Sequence, residues 1–166
     1  MEINVSLIKI KKLLGDHILE QGRFGRTEVQ AIWIESKALK QVAEKLNSDP
    51  ELLLNWLENL SVMEMDGNII LNYFLRSHAT SASLILRVSL APATSQSKVI
   101  VSTVTDVWAM AELFEAEIED LFGVTFKDTP VVRSISTEFK FAPGSEGFPL
   151  RKSFRFSKGE RNEVTS

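Results

Sequence analysis

Residues 107–126, VWAMAELFEAEIEDLFGVTF, carry the clearest helical pattern in the chain. At about 100° per residue, large apolar residues fall on one side of this segment, as in a helix that packs on a core. These residues are Val107, Met110, Ala111, Phe114, Ile118, Leu121 and Phe122. The segment therefore predicts a core helix with Thr105 or Asp106 as its N-cap and Gly123 at its end.

The opposite side of the same helix carries a second, thinner apolar strip. Ala109, Leu113 and Ala116 recur at spacings of four and three residues, and acidic residues surround them. The acidic residues are Asp106, Glu112, Glu117, Glu119 and Asp120. An isolated domain gains nothing from apolar residues on its outer face, so the strip predicts contact with another protein.

Turn signals and apolar periodicity predict a series of short elements upstream of this helix. We expect helices over residues 5–14, 36–46 and 50–57, the last of them opened by Asp49 and Pro50. We expect strands over residues 18–24, 28–34, 60–65, 68–77, 83–90 and 98–104. The order, summarised as α-ββ-α-βββ-α, favours an α+β fold, a single two-layer domain whose mixed sheet is covered by helices.

The character of the sequence changes after Phe126. No helical periodicity continues there, and proline and glycine interrupt the chain repeatedly. The segment nevertheless contains six large apolar residues, which favours order imposed by a partner over a solvated tail. They are Phe139, Phe141, Phe148, Leu150, Phe154 and Phe156. We therefore predict a core domain over residues 1–126 and an extended partner-binding tail over residues 127–166.

Composition argues against several classes of function. The net charge of −3 argues against general nucleic-acid binding, and no apolar run approaches the roughly 18 residues that span a bilayer. The chain has no cysteine, and His17 and His78 are too few and too isolated to form a metal cage. No glycine-rich phosphate loop occurs. We expect a cytosolic, unprocessed chain with no catalytic, cofactor or metal site of its own.

Two separated motifs provide a more specific indication. The first contains Glu115, Glu117, Asp120, Phe122, Gly123, Phe126, Pro130 and Arg133, and the second contains Gly147, Pro149, Leu150, Arg151 and Lys152. In order and spacing, they resemble the 30 kDa subunit family of respiratory complex I, the NADH:quinone oxidoreductase. The sequence departs from the family at Ala116, where arginine is usual, and at Leu113, where tryptophan is common.

The resemblance implies a non-catalytic peripheral-arm subunit on the cytoplasmic side of the inner or cell membrane. Its partners would be a large catalytic subunit, similar to the large chain of nickel–iron hydrogenases, and neighbouring iron–sulfur subunits. Iron–sulfur clusters and flavin would then belong to those partners, in a complex that transfers electrons to quinone and translocates ions. Similar subunits occur in membrane-bound energy-converting hydrogenases, and that alternative stays open.

The helix strip and the two motifs together define the expected partner interface. Its residues are Leu113, Ala116, Glu117, Asp120, Arg133, Pro149, Leu150, Arg151, Lys152 and Phe154. Arg151 and Lys152 would contact carboxylates across the interface. Glu117 and Asp120 would pair with arginines, either Arg133 or Arg151.

Two functions of other classes also remain open from the residues alone. Glu117 and Asp120 lie three residues apart on the predicted helix, so they could form a carboxylate pair in a free-standing enzyme. The basic tail could bind anionic lipid or RNA. Trp108 lies between the two faces of the helix, where it could contact both the core and a partner.

Overall fold

The computed structural model describes residues 3–4, 7–27, 29–91, 99–129 and 148–155, with side chains from Ile8 onward. Predictions that fall on residues 92–98, 130–147 and 156–166 lie outside the described residues. The predicted interface residue Arg133 is one of these.

The main sheet is mixed and has six strands. They are β1 (Ile3–Asn4), β2 (Ile18–Arg23), β3 (Gln30–Ile34), β4 (Trp56–Met65), β5 (Asn68–Arg76) and β6 (Ala82–Leu90). Five of them follow the order β2-β3-β6-β5-β4, and β1 also pairs with β6. The β3–β6 and β1–β6 pairs are parallel and the others are antiparallel. The predicted α+β class with a mixed sheet is confirmed.

Three α-helices and a small second sheet complete the described fold. The helices are α1 (Leu7–Leu14), α2 (Leu39–Ser48) and α3 (Ala111–Phe122). The second sheet pairs β7 (Val99–Ser102) with β8 (Val124–Lys127) in parallel. Strand β8 was not predicted. Its two inward residues, Val124 and Phe126, lie directly after a helix end, where a run of four residues carries little periodicity.

Alternation along the central strands places the core on one face of the main sheet. In β5 the core side is formed by Ile69, Leu71, Tyr73 and Leu75, and β6 supplies Leu84, Leu86 and Val88 in the same way. All three helices and the small sheet contribute to this one cluster. The opposite face of the sheet contributes nothing to it, and we call it the outer face.

The predicted helix over residues 50–57 is wrong. Asp49 does accept backbone N–H bonds from Glu51 and Leu52, at 3.0 and 2.9 Å, but the turn ends there and β4 begins at Trp56. Leu53 adopts a φ of +42°, which breaks helical geometry. This geometry lets Leu52 and Leu54 both enter the core, where they are 4% and 0% exposed. Tertiary burial therefore overrides the local helix-start signal.

Candidate partner interface

Helix α3 begins later than predicted. Successive turns occupy residues 104–110, where the N–H groups of Val107 and Trp108 donate to the carbonyl of Val104. The indole N–H of Trp108 donates to the carbonyl of Leu54 at 2.9 Å, and the ring is only 2% exposed. Trp108 is thus a core residue that fixes the approach to α3, and the described structure leaves it no exposed surface to offer a partner.

The two faces of α3 are broadly those that the sequence predicts. Ala111 and Ile118 are buried against the core, whereas Leu113 is 55% exposed. Met110, which was predicted to face the core, is 38% exposed because it precedes the helix proper. Leu113 is therefore a large apolar side chain on a face that no described element covers.

The other predicted interface residues of α3 follow the same exposed side. Ala116 and Asp120 are half-buried and Glu117 is exposed. Together with Leu113 they form one continuous surface, which we call the α3 outer strip. An exposed leucine surrounded by carboxylates suits a partner that supplies apolar and basic side chains.

Glu115 is the site residue that the sequence reasoning missed. Its side chain is 2% exposed, in contact with the turn after β7. One carboxylate oxygen accepts a hydrogen bond from the hydroxyl of Thr103 at 2.5 Å, and the other accepts the N–H of Val104 at 2.9 Å. The available signal was its position, four residues after Ala111 and three before Ile118, which is on the core stripe. This residue ties α3 to the small sheet.

Burial sets the acidity of this carboxyl group. Loss of solvent raises the pKa of Glu115 to about 7, although the hydrogen bonds from Thr103 and Val104 oppose that rise. Burial also raises the pKa of the neighbouring Tyr73 well above its ordinary value, and the charge of Glu115 adds to the effect. The Tyr73 hydroxyl has no hydrogen-bond partner in the part of the chain that the structure describes. The pair leaves the core sensitive to ionisation.

Residues 148–155 pack back onto the end of α3. The Nε atom of Arg151 donates to the carbonyl of Phe122 at 2.6 Å, and Nη2 lies 3.4 Å from the carbonyl of Gly123. The backbone N–H of Leu150 donates to the carbonyl of Leu121 at 3.1 Å. Arg151 is 5% exposed, so its guanidinium stabilises the helix C-terminus of its own chain. Its assignment to a partner interface stays a prediction.

Gly123 is required where α3 ends. Its φ of +65° is the left-handed conformation typical of a helix C-terminus, as predicted. The ring of Phe148 lies against this residue so closely that a Cβ atom there would overlap the ring. The guanidinium of Arg151 lies 5.0 Å from the centre of the same ring. Gly123, Phe148 and Arg151 therefore form one contact between the two motifs.

The remaining residues of the second motif surround this contact. Leu150 is 55% exposed and Lys152 is exposed, whereas Pro149 and Phe154 are half-buried. The backbone N–H of Lys152 donates to a carboxylate oxygen of Glu64 on β4 at 3.0 Å. The structure thus brings Leu150 and Lys152 to the C-terminal end of the α3 outer strip. Leu113 lies two turns away, toward the N-terminus.

The described residues provide few features of an enzyme site. No group of three His, Cys, Asp or Glu side chains among them could hold a metal ion. None of the helices in the described ranges is long and apolar enough to cross a bilayer. The only acid with a strongly raised pKa in those ranges, Glu115, is enclosed by its own fold. The surface features therefore favour binding over chemistry.

Comparison with known proteins gives a consistent result. The family model described as respiratory-chain NADH dehydrogenase, 30 Kd subunit, matches residues 32–160. A subunit of the NADH-quinone oxidoreductase of Albidiferax ferrireducens is 30% identical over 156 residues, which cover 90% of this chain and 74% of that protein. The subunit of the same name from a Roseiflexus species is 29% identical over 149 residues, covering 88% and 80%.

Two solved structures share the fold. A chain of the membrane-bound sulfane sulfur reductase, an archaeal respiratory membrane complex, has a TM-score of 0.65 at 17% identity and covers 89% of this chain and 84% of its own length. A trypsin-resistant fragment of Nqo5 has a TM-score of 0.55 at 18% identity, covering 68% and 88%. At these identities the likeness concerns the fold alone.

Proposed function

This chain belongs to the family of the 30 Kd subunit of respiratory-chain NADH dehydrogenase, and we propose that it is a non-catalytic peripheral-arm subunit of a complex I-like NADH:quinone oxidoreductase. In this role it docks on the large catalytic subunit. It supports electron transfer to quinone, coupled to ion translocation, by holding that subunit in place. The redox chemistry belongs to the neighbouring subunits.

The observation that carries the proposal is the α3 outer strip. Leu113 is 55% exposed on a helix whose other face is anchored by Ala111, Glu115 and Ile118, all at most 4% exposed. Such a helix cannot turn its leucine inward without exposing the core. Docking would remove that side chain from water, which is worth about 1 to 2 kcal/mol for a leucine that is half exposed.

The chain's lack of cysteine bears on where the cofactors lie. Without thiolates it offers no ligands for a four-cysteine iron–sulfur cluster, so we place the clusters and the flavin in partner subunits. We place the chain at the cytoplasmic side of the membrane, held there through the complex. The acidic residues of the α3 outer strip would then meet basic side chains of the large subunit.

Affinity purification from the native cell tests this function. A tagged copy of the full chain should recover a stable complex that contains a large hydrogenase-like subunit, iron–sulfur proteins and NADH:quinone reductase activity. Recovery of the chain alone would contradict the proposal. Recovery of hydrogenase subunits with hydrogen-evolving activity and no NADH oxidation would instead identify the energy-converting hydrogenase alternative.

A further inference from the structure

A row of polar and aromatic side chains crosses the outer face of the main sheet. Strand register aligns five residues from β2, β3, β6, β5 and β4, one from each strand. They are Glu20, Trp33, Arg87, Asn72 and Ser61. Side chains of one row across a sheet lie close enough to interact. We call this set the outer row.

Arg87 is held at the centre of the outer row by contacts on every side. Its guanidinium carbon lies 3.9 Å from the centre of the Trp33 ring and 5.4 Å from that of Phe24. Its Nε atom donates to Oδ1 of Asn72 at 2.8 Å, and Nη2 lies 3.6 Å from the sulfur of Met63. Stacking and hydrogen bonding together fix the plane of the guanidinium.

The residues that hold Arg87 are themselves braced. The amide nitrogen of Asn72, which is only 1% exposed, lies 3.4 Å from the hydroxyl of Ser61. Phe24 makes an edge-on contact with Phe74, with ring centres 5.6 Å apart and an angle of 83° between the rings. The Arg87 side chain is therefore arranged before any partner arrives, which lowers the entropy lost on binding.

Arg87 nevertheless lacks an ion-pair partner in the described part of the chain. Glu20, in the same row, attracts it electrostatically but forms no ion pair with it. By contrast Arg76, on the same face, pairs with Glu58 at 3.1 Å. A guanidinium carries five N–H donors, and the described contacts of Arg87 use two of them. The others are available to an external acceptor.

We propose that the outer row is a second protein-binding surface, on which a neighbouring subunit places an aspartate or glutamate side chain against Arg87. This inference rests on the proposed function, because it takes the partner to be another subunit of the same complex. A planar guanidinium in a fixed orientation suits two parallel hydrogen bonds to a carboxylate. Met63, 40% exposed, and the aromatic side chains would cover the apolar part of the incoming segment.

The outer row faces away from the α3 outer strip, so the two surfaces suit different contacts. The core cluster, which includes residues of α3, lies on the other side of the sheet. The charge character also differs, since the α3 outer strip is acidic and the outer row is centred on an arginine. We infer that the chain bridges two segments of its complex instead of docking through one face.

Site-specific photo-crosslinking in the native cell tests this inference. Ser89, exposed on the outer face two residues after Arg87, receives the photoreactive amino acid in the tagged full chain. The crosslinked peptide should come from another subunit of the complex and should contain an aspartate or glutamate. The same amino acid at Glu44, exposed on α2, provides the matched control and should not give that crosslink.

Arginine variants then connect the crosslink to Arg87. Recovery of the mapped subunit should fall at least about tenfold with Arg87→Gln, and also with Arg87→Lys, which keeps the charge but not the planar fork. Arg76→Gln, which disrupts an internal pair on the same face, should leave recovery unchanged. Arg87→Glu should regain recovery when the mapped acidic residue is changed to arginine.

Several outcomes would overturn the inference. A crosslink to this chain's own residues, no crosslink, or a mapped segment without an acidic residue would each contradict it. Equal recovery with Arg87→Gln and wild type, while the complex still forms, would refute the outer row and leave the proposed function intact. If the wild-type chain joins no complex, the proposed function and this inference both fail.

Discussion

Replacing Glu115 with glutamine should remove most of the pH dependence of the chain's stability above pH 5. Glutamine keeps the shape of the side chain and can still accept the N–H of Val104 and bond the hydroxyl of Thr103. It cannot ionise. The variant therefore separates the charge of Glu115 from its packing, since the side chain is 2% exposed in the folded protein.

The magnitude follows from the pKa of the buried carboxyl group. Its pKa is about 7 in the folded chain against an ordinary value of 4.5, a difference equivalent to about 3 kcal/mol. Because folding raises the pKa, the folded chain binds the proton more tightly than the unfolded chain. The stabilisation from this proton is complete below pH 4.5, declines as the pH rises, and is lost above about pH 7.

Urea unfolding of the full chain between pH 5 and pH 8 measures this effect. The free energy of unfolding of the wild type should fall by about 2 to 3 kcal/mol more than that of Glu115→Gln over this range. Glu117→Gln, an exposed change on the same helix, should follow the wild type. Parallel profiles for wild type and Glu115→Gln would show that the carboxyl group titrates normally, and would refute its burial in a dry core.

Two further predictions concern the end of α3. Gly123→Ala should lower the free energy of unfolding by about 2 kcal/mol or more, because it combines a left-handed backbone with overlap of the Phe148 ring. Gly67→Ala has a similar φ of +78° with open space around it, so it should cost only about 1 kcal/mol; equal losses at the two glycines in thermal or urea unfolding would contradict the Phe148 contact. Arg151→Met should cost about 1 to 3 kcal/mol, since it removes the donors to Phe122 and Gly123 but keeps the apolar stem. Lys152→Met should cost much less, because the described contact of Lys152 uses its backbone N–H; a large loss there and none at Arg151 would reverse the assignment.

Local patterns predicted the central strands and the end of α3. Alternation in residues 83–90 matches β6, and the Asp66-Gly67 pair lies in the turn between β4 and β5. Gly123 ends α3 in the left-handed conformation expected of it. These features depend on neighbours in sequence, through side-chain periodicity and backbone preference. The same is true of the exposure of Leu113.

Features that depend on distant residues were missed or misplaced. Asp49 and Pro50 begin a turn as their residue types suggest, yet the burial of Leu52 and Leu54 ends it. Glu115 lies on the core stripe by spacing, but only the position of Thr103 shows that its carboxylate is hydrogen-bonded there. The sequence expectation for Arg151 was a contact to carboxylates. In the folded chain its partners are carbonyl groups at the end of a helix 28 residues away.

Assembly of the Leu113→Asp variant in the native cell tests the central proposal, docking through the α3 outer strip, most directly. Leu113 is 55% exposed, so the isolated variant should melt at nearly the wild-type temperature, whereas an aspartate in an apolar contact should weaken docking by about 2 kcal/mol or more, roughly 30-fold. Ile8→Asp, at an 81% exposed position on α1, is the control and should assemble normally. Normal assembly of Leu113→Asp would contradict the account, as would a large loss of melting temperature in the isolated variant.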